Sequence, residues 1–432
     1  MLEMKPFNPK EMEGVIAALE SIPGALAAIP TERPTVAAAK AFAGHFASIL
    51  KAHEEGKQIS YNQFCFYPEL MYAFDIQPLC PEAWTIIPLV VMPDLAQKHI
   101  DVAMDAGVHS ELCSADRALI GELLTGNVPA PSFIVTSSQP CDNSRMGYSM
   151  VQQMTKAPLF MVDSPYGETE DCIAYYENQI WRLITFLEQQ TGKKLDWDKF
   201  REVMEESNRA TEYILEVNEL RKMVPCPSDG KVPTFTFFGN MTLLGHPSLT
   251  TMYKTFLDDA KERALQKQGV VPKEKIRAIW FYTMISWDIM AQSRLQQELG
   301  HINVMDMFGY LTYRPIDTST PDKIIRGLAE RNHLAIPMGR QGRGFTDVYF
   351  DDLFYVYEEW KADCVVLAGH DGCKWLKAAT GMLREMCRKK GIPLLFFDVD
   401  ILDPRVVSGE TYRALVEDYL TAVVEPSLLE KK

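Results

Sequence analysis

The chain of 432 residues lacks the features of several protein classes. It has 44 basic against 58 acidic residues, and the net charge of −14 argues against a nucleic-acid or anionic-membrane partner, because both require a basic face. The longest nearly unbroken apolar run, residues 83–92, is too short to span a bilayer, and the amino terminus has no basic flank followed by an apolar core. We therefore expect a soluble, cytoplasmic protein with no nucleic-acid and no membrane partner.

None of the nine cysteines belongs to a CxxC pair, so the sequence contains neither a zinc ribbon nor a ferredoxin-type cluster motif. An odd number of cysteines cannot all pair within one chain, and the cytosol keeps thiols reduced. We expect most of them to be buried, inert thiols. Cysteine spacing alone therefore assigns no ligand.

The sequence is rich in apolar residues, at 47%, which is enough to bury one or more sizeable cores. Short apolar runs typical of buried strands alternate with amphipathic segments, and this alternation predicts parallel sheets covered on both faces. The predicted strands are 58–64, 132–135, 159–162, 276–280, 365–367 and 394–397. We predict an α/β protein with two flavodoxin-like or Rossmann-like parallel-sheet domains and with helical N-terminal and linker segments.

Proline and glycine mark the divisions of this architecture. The amino terminus is predicted to be helical over 11–29, with an interruption at Pro23 and Gly24, and again over 34–55. Segment 225–230, with two prolines and a glycine, is the strongest boundary signal. We predict a helical N-terminal segment over 1–56, a first α/β domain with a helical extension over 57–225, and a second α/β domain over 231–432.

A unit of strand, polar loop, cysteine and helix occurs twice. In the first half it contains Cys141, and Asp163 follows 22 residues later; in the second half it contains Cys373, and Asp398 follows 25 residues later. Both cysteines are predicted at the carboxyl ends of parallel strands and at helix amino termini, where open sheets hold ligands and the helix dipole favours a thiolate. The alternative is that both are small hydrophobic side chains in strand-to-helix corners.

Cys113 has similar surroundings, because Ser114 is suited to cap a helix that follows it. Three cysteines from distant segments, each at a loop-to-helix junction, are suited to a [4Fe-4S] cluster with one open iron site. An open iron offers a position for substrate or water, as the open position of a catalytic zinc does. A zinc site is the second interpretation of the same residues, and a free thiol nucleophile is the third.

Motifs over nearly the whole chain beyond the first fifty residues resemble those of a known family. They are Phe66-Tyr-Pro-Glu-Leu-Met-Tyr-Ala-Phe-Asp75 with Pro81-Glu82, Glu111-Leu-Cys113, Gln139-Pro-Cys-Asp142, Asp163-Ser-Pro-Tyr166, Gly192-Lys-Lys-Leu-Asp-Trp-Asp-Lys-Phe200, Gly372-Cys-Lys374, Gly391-Ile-Pro393 and Asp398-Val-Asp-Ile-Leu-Asp-Pro-Arg405. With these motifs in this order, the chain resembles the 2-hydroxyacyl-CoA dehydratase component D family, which also contains the cluster-bearing subunits of ATP-dependent benzoyl-CoA reductase.

The resemblance implies one [4Fe-4S] cluster, bound by Cys113, Cys141 and Cys373. It implies that a low-potential electron added to the thioester carbonyl of a 2-hydroxyacyl-CoA gives a ketyl radical, which expels the hydroxyl group on the way to an enoyl-CoA. The implied electron donor is a separate ATP-hydrolysing iron-sulfur activator, and this sequence has no GxxxxGK[ST] loop for ATP. A homologous, non-identical second subunit and an acyl-CoA substrate complete the implied partners.

Glu82 and His370 are the candidate catalytic residues, Glu82 as an active-site carboxylate and His370 as a donor to a cluster sulfur or a proton carrier. A satisfied loop histidine is the structural alternative for His370, and a helix-start carboxylate is the structural alternative for Glu69. Glu69 is a weaker candidate of the same kind as Glu82. Asp398, Asp400 and Arg405 are suited either to contact CoA or to close a loop by ion pairing.

Two departures from the family pattern bear on the substrate. Members of the family often have Glu-Gly a few residues before a tryptophan, whereas this chain has Phe281 and Tyr282 before Trp287. Large dehydratase subunits have Asn-Arg-Ser before the third cysteine, whereas this chain has His-Asp-Gly before Cys373. Three other functions therefore stay open: a subunit of an ATP-dependent benzoyl-CoA reductase, a double-cubane-cluster reductase of small molecules, and a non-enzymatic iron-sulfur electron-transfer module. The double-cubane reductase would need further ligands, such as Cys65, Cys80 or Cys364.

Overall fold

The computed structural model describes residues 2–282, 285–343 and 347–430. Its amino-terminal helices are α1 Lys10–Leu26 and α2 Arg33–Glu54. The predicted interruption at Pro23 and Gly24 is wrong, because α1 continues through both residues. Pro23 lies in the last turn, where its missing N–H removes a single hydrogen bond and the helix is about to end.

The first sheet consists of four parallel strands in the order β2-β1-β3-β4. These strands are β1 Ile59–Asn62, β2 Gln77–Leu79, β3 Phe133–Ser137 and β4 Leu159–Val162. Every residue of the central strands β1 and β3 is buried, as expected for a parallel sheet covered on both faces. The sequence pattern does not predict β2, because this edge strand is three residues long and contains Pro78.

The second sheet repeats this topology, with four parallel strands in the order β6-β5-β7-β8. The strands are β5 Ile276–Trp280, β6 His301–Asp306, β7 Cys364–His370 and β8 Leu394–Val399. The pattern does not predict β6, which is fully buried although His301, Asn303 and Asp306 are polar. The predicted α/β class with two parallel sheets is confirmed.

Helices cover both sheets. They are α3 Glu69–Ala73, α4 Pro81–Ile86, α5 Leu95–Asp105, α6 Ser114–Thr125, α7 Asp142–Thr155, α8 Glu170–Thr191, α9 Trp197–Leu220, α10 Val232–Leu243, α11 Pro247–Leu265, α12 Ala291–Leu299, α13 Pro321–Leu334, α14 Pro337–Arg343, α15 Asp347–Glu359, α16 Lys374–Ala378, α17 Thr380–Lys390, α18 Gly409–Tyr419 and α19 Glu425–Glu430. None of the described helices is both long and apolar enough to cross a membrane.

Segment 225–230, which carries the predicted boundary signal, is largely buried. The fully buried Arg221 at the end of α9 donates hydrogen bonds to Ser228 Oγ and to the Asp229 carbonyl, both at 2.7 Å, and to the Asn303 carbonyl of β6. The helices α10 and α11 that follow pack on α2 and α9. The predicted division into an N-terminal segment and two domains stays a prediction.

Candidate functional site

The three cysteines predicted as ligands occupy equivalent places in the fold. Cys113 directly precedes α6, Cys141 lies between β3 and α7, and Cys373 lies between β7 and α16. Each is the residue before its helix and makes no side-chain capping hydrogen bond. The thiols are therefore available for another partner, and all nine cysteines of the chain are free of disulfides.

One cavity of about 100 Å³ brings together all five predicted site residues. Cys113, Cys141 and Cys373 line it together with Glu82 and His370. The remaining wall is largely apolar and aromatic and includes Phe64, Phe237, Tyr282, Phe308 and Trp375. The arrangement joins three thiols, a carboxyl group and an imidazole in a site whose walls are largely apolar.

Close packing fixes the loops that carry the cysteines. The Sγ atom of Cys113 lies 3.3 Å from Nε2 of His370. A Cβ atom added at Gly372 would lie 2.8 Å from the Cys113 Cα atom and 2.9 Å from His370 Nε2. Asn143, in the first turn of α7, donates a hydrogen bond to the Gly372 carbonyl. These contacts link the three cysteine-bearing segments to one another.

Gly372→Ala is expected to destabilise the chain by about 1–3 kcal/mol, because the new methyl group would overlap backbone and a buried ring that cannot move aside. Urea unfolding followed by circular dichroism measures the change. Gly381→Ala is the matched control, since no atom lies within 4 Å of its added Cβ and it should unfold at the wild-type midpoint or above. Equal stability of Gly372→Ala and wild type would contradict the close packing.

Burial raises the pKa of all three thiols: to about 12 for Cys141, to about 11 for Cys373, and well above the ordinary value for Cys113. The charge of Asp116 adds to this effect at Cys113 and Cys141. Main-chain N–H groups at the helix starts lower these pKa values, but burial outweighs them. The helix starts therefore favour the thiolates, as expected, but by less than burial disfavours them, and a bound cationic group would stabilise the thiolates further.

Glu82 projects its carboxyl group from α4 toward the cavity. Its Oε2 atom accepts hydrogen bonds from the Tyr148 hydroxyl at 2.9 Å and from the Cys80 thiol at 3.3 Å. Its Oε1 atom is buried and has no hydrogen-bond partner among the described residues. Burial raises the pKa of Glu82 to about 7. A carboxyl group with one free oxygen and a pKa near neutrality is suited to proton transfer.

His370 ends β7 with its ring held from both sides. Its Nδ1 atom accepts the main-chain N–H of Ile401 at 3.4 Å and lies 3.8 Å from Oδ2 of Asp400. This hydrogen-bond pattern assigns the ring proton to Nε2, which donates toward Cys113 Sγ. Burial lowers the pKa of His370, against the opposing charge of Asp400. Burial therefore disfavours the charged imidazolium, and the Nε2–H points at a candidate ligand.

Five more polar residues of the cavity escape sequence reasoning as site residues: Asp116, Asn143, Ser144, Tyr282 and Trp375. Asn143 Oδ1, the Tyr282 hydroxyl and Trp375 Nε1 are buried without a partner among the described residues. Burial, with the charge of Glu82 second, raises the pKa of Asp116 well above its ordinary value. Buried polar atoms are nearly always hydrogen-bonded, so these unpaired atoms favour a site that receives another group.

A sequence signal for two of these residues exists. Asn143 and Trp375 each stand two positions after a candidate ligand, Cys141 and Cys373, in the first turn of the helix that follows. The internal repeat therefore contains them at equivalent positions. Tyr282 has a different signal, since it belongs to the departure from the family pattern before Trp287, but only the folded chain brings it to the cavity.

Glu69 lies outside the cavity and forms a buried ion pair. Its carboxylate accepts two hydrogen bonds from the Arg331 guanidinium, at 2.5 and 3.0 Å, and one from the Ser207 hydroxyl at 2.8 Å. Arg331 also lies over the Tyr67 and Tyr313 rings. Glu69 therefore joins α3, α9 and α13.

Arg331→Ala is expected to destabilise the chain by about 3–5 kcal/mol, because it leaves the Glu69 carboxylate buried and without its countercharge. Arg326→Ala, on the same helix, removes an ion pair whose glutamate partners are exposed, and should lose only a small fraction of that stability. Urea unfolding of both variants makes the comparison. Equal losses in the two variants would contradict the distinction between buried and exposed pairs.

The three residues considered as possible CoA contacts have partners within the chain: two form ion pairs and the third lies beside His370. Asp398 pairs with Lys377 at 2.8 Å, and Arg405 pairs with Asp101 at 2.9 Å. Asp400 lies beside the His370 ring and accepts the main-chain N–H of Leu402. The loop-closing alternative thus accounts for Asp398 and Arg405, and Asp400 helps to orient the imidazole.

The described residues contain no group of three His, Cys, Asp or Glu side chains that could hold a single metal ion. Cys364 begins β7, and the length of that strand places it about 20 Å from His370 at the other end.

Comparison with known proteins agrees with the motifs. A sequence model of the family described as 2-hydroxyglutaryl-CoA dehydratase, D-component, matches residues 63–421. The (R)-2-hydroxyglutaryl-CoA dehydratase subunit alpha of Acidaminococcus fermentans is 23% identical, over 68% of this chain and 61% of that relative. The (R)-2-hydroxyisocaproyl-CoA dehydratase alpha subunit of Clostridioides difficile is 26% identical, over 90% and 96%. A benzoyl-CoA reductase subunit of Thauera aromatica is 22% identical, over 88% and 92%.

Proposed function

Because the chain belongs to the 2-hydroxyglutaryl-CoA dehydratase, D-component family, we propose that it is the iron-sulfur subunit of an ATP-activated 2-hydroxyacyl-CoA dehydratase. The proposed reaction removes water from a 2-hydroxyacyl-CoA through a ketyl radical and gives an enoyl-CoA. The observation that carries the proposal is the cavity that joins three equivalent cysteines to a buried carboxyl group and an imidazole. The proposed partners are a homologous, non-identical subunit, an ATP-hydrolysing iron-sulfur activator and the acyl-CoA substrate.

Cys113, Cys141 and Cys373 would hold three irons of one [4Fe-4S] cluster, leaving the fourth iron without a protein thiolate. The donor set fits this group, since three thiols that make no capping hydrogen bond line one cavity. Unpaired polar atoms of Asn143 and Trp375, two positions after Cys141 and Cys373, belong to residues that line the same cavity. When bound, the cluster supplies single low-potential electrons and the positive charge that the thiolates need.

The remaining site residues accept a proton or hold neighbouring groups in position. Glu82 accepts the substrate β-proton at Oε1, while Tyr148 holds Oε2 and leaves Oε1 free. His370 donates its Nε2–H toward Cys113 Sγ, and Asp400 helps to keep the ring in that orientation. The apolar wall excludes water from the radical chemistry.

A subunit of an ATP-dependent benzoyl-CoA reductase is the second candidate. The aromatic side chains of Phe237, Tyr282, Phe308 and Trp375 favour it, because they form a wall against which an aromatic ring could stack.

Product analysis separates the two candidates. The chain is purified anaerobically with its partner subunit and activator, then given ATP, a reductant and either a 2-hydroxyacyl-CoA or benzoyl-CoA. We expect an enoyl-CoA, 18 mass units lighter than its substrate by mass spectrometry (about the mass of one water), and no conversion of benzoyl-CoA. A dienoyl-CoA formed from benzoyl-CoA would support the reductase, and conversion of neither thioester would contradict both.

A further inference from the structure

We propose that a second, apolar cavity beside the cysteine cavity receives the acyl side chain of the thioester and selects a short, branched, uncharged chain. The inference rests on the proposed function, because it names the substrate class of the same site. It follows from the shared partition between the two cavities, from the volume of each, and from the charges that line the second.

The two cavities lie on opposite sides of one partition. Ile86, one helical turn after Glu82 in α4, lines both of them. In α10, Phe237 lines the cysteine cavity and its neighbour Phe238 lines the apolar cavity. A chain attached to a thioester beside Glu82 would therefore enter the second cavity by displacing the Ile86 side chain.

The volumes of the two cavities require a separate space for the acyl chain and limit the size of the chain that fits there. The cysteine cavity, at about 100 Å³, is the place of the proposed cluster and the reacting atoms, so the rest of the acyl group must lie elsewhere. The apolar cavity adds about 50 Å³. A water-sized group needs about 10–15 Å³ by this measure, so roughly four methyl-sized groups fit in the cavity once the Ile86 side chain has moved aside. A branched chain of about four carbons matches this volume, whereas a long fatty chain exceeds it.

The charges exclude a second carboxylate. Among the described residues that line the apolar cavity, Lys231 is the one cation, and its Nζ atom already contacts Ser293 Oγ at 2.5 Å, Asp229 at 3.2 Å and Glu32 at 3.5 Å. The Asp288 carboxylate also lines the cavity but is already paired with Arg294 at 2.5 Å and with Arg413 at 2.7 Å, so neither charged residue of the lining offers an unpaired cation to a second carboxylate. The Ser286 hydroxyl is buried without a partner among the described residues, but one hydroxyl cannot neutralise a carboxylate.

Isothermal titration calorimetry of the full chain tests the selection with four probes: free CoA, acetyl-CoA, 4-methylpentanoyl-CoA and glutaryl-CoA. We expect 4-methylpentanoyl-CoA to bind about tenfold tighter, or more, than acetyl-CoA and glutaryl-CoA, because its branched end fills the apolar cavity. The affinity for free CoA gives the baseline that all four probes share.

Ala39→Leu should abolish this preference, because Ala39 of α2 lines the apolar cavity and the larger side chain would fill it. Its affinity for acetyl-CoA and free CoA should not change. Ala37→Leu is the matched control, since Ala37 lies on the same helix but lines an outer groove, and it should keep the preference. Ile86→Ala, which opens the partition, should shift the binding preference to a longer acyl chain. This variant replaces Ala39→Leu as the test if Ala39→Leu does not fold.

The outcomes separate this inference from the function on which it rests. Absence of binding for every CoA thioester would overturn the proposed function and the inference together. Thioester binding that does not depend on the acyl chain, tighter binding of glutaryl-CoA, or a preference that survives in Ala39→Leu would overturn the apolar cavity as acyl site and leave the dehydratase proposal intact.

Discussion

Cys141→Ala is expected to fold and to bind almost no iron, and the same result is expected for Cys113→Ala and Cys373→Ala. Each thiol belongs to a loop-to-helix junction and makes no capping bond, so its removal leaves the helices and sheets in place. A cubane with two remaining protein ligands exposes a second iron and is readily lost. Iron and acid-labile sulfide per chain, with circular dichroism as the measure of folding, give the result.

Cys172→Ala and Cys387→Ala are the controls for these variants. Cys172 lies in the first turn of α8 beside Thr169, and Cys387 is buried in α17, so neither thiol lines the cysteine cavity. Both controls should keep wild-type iron and sulfide. A folded variant of Cys113, Cys141 or Cys373 with undiminished iron would contradict the ligand assignment.

Glu82→Gln is expected to reduce dehydratase turnover by about 10²–10⁴-fold while the chain keeps its cluster. The amide conserves the shape of the side chain and can still accept the Tyr148 hydrogen bond, but it cannot take a proton. Because burial raises the pKa of Glu82 to about 7, the wild-type carboxylate is about half formed at that pH and increases as the pH rises. The rate should therefore rise with pH through about 7 in the wild type, and the residual rate of Glu82→Gln should lack that rise.

Tyr148→Phe provides the matched test of this assignment. The Tyr148 hydroxyl lowers the pKa of Glu82 through its hydrogen bond, so its loss should move the midpoint of the pH profile upward and reduce the rate less than Glu82→Gln does. Rates of both variants across pH 5 to 9 make the comparison. An unaltered pH profile of the rate in Glu82→Gln would contradict a role of Glu82 in proton transfer.

The repeated unit of strand, loop, cysteine and helix made much of the site predictable. Cys141 and Cys373 follow central strands of parallel sheets, and the carboxyl ends of such strands face one edge, so their position follows from local pattern. Strands with polar or proline-containing sequences, such as β2 and β6, could not be recognised. Their burial depends on neighbours in the sheet and not on their own hydrophobicity.

Other features of the site depend on contacts between distant parts of the chain. Cys113 and His370 are 257 residues apart, and only the packing of Gly372 on Cys113 brings them together. The pKa of Glu82 and those of the thiols depend on burial, which no residue spacing reports. Glu69 and Glu82 are both early helix residues, and sequence alone could not tell that Arg331 pairs with Glu69 and leaves Glu82 at the cavity.

The central claim is that Cys113, Cys141 and Cys373 hold a single four-iron cluster. The most direct test is anaerobic purification of the wild-type chain, with iron and sulfide analysis and an electron paramagnetic resonance spectrum of the reduced protein. The account predicts about four irons and four sulfides per chain and the signal of a reduced [4Fe-4S] cluster. Absence of iron, stoichiometric zinc, or about eight irons per chain would contradict it.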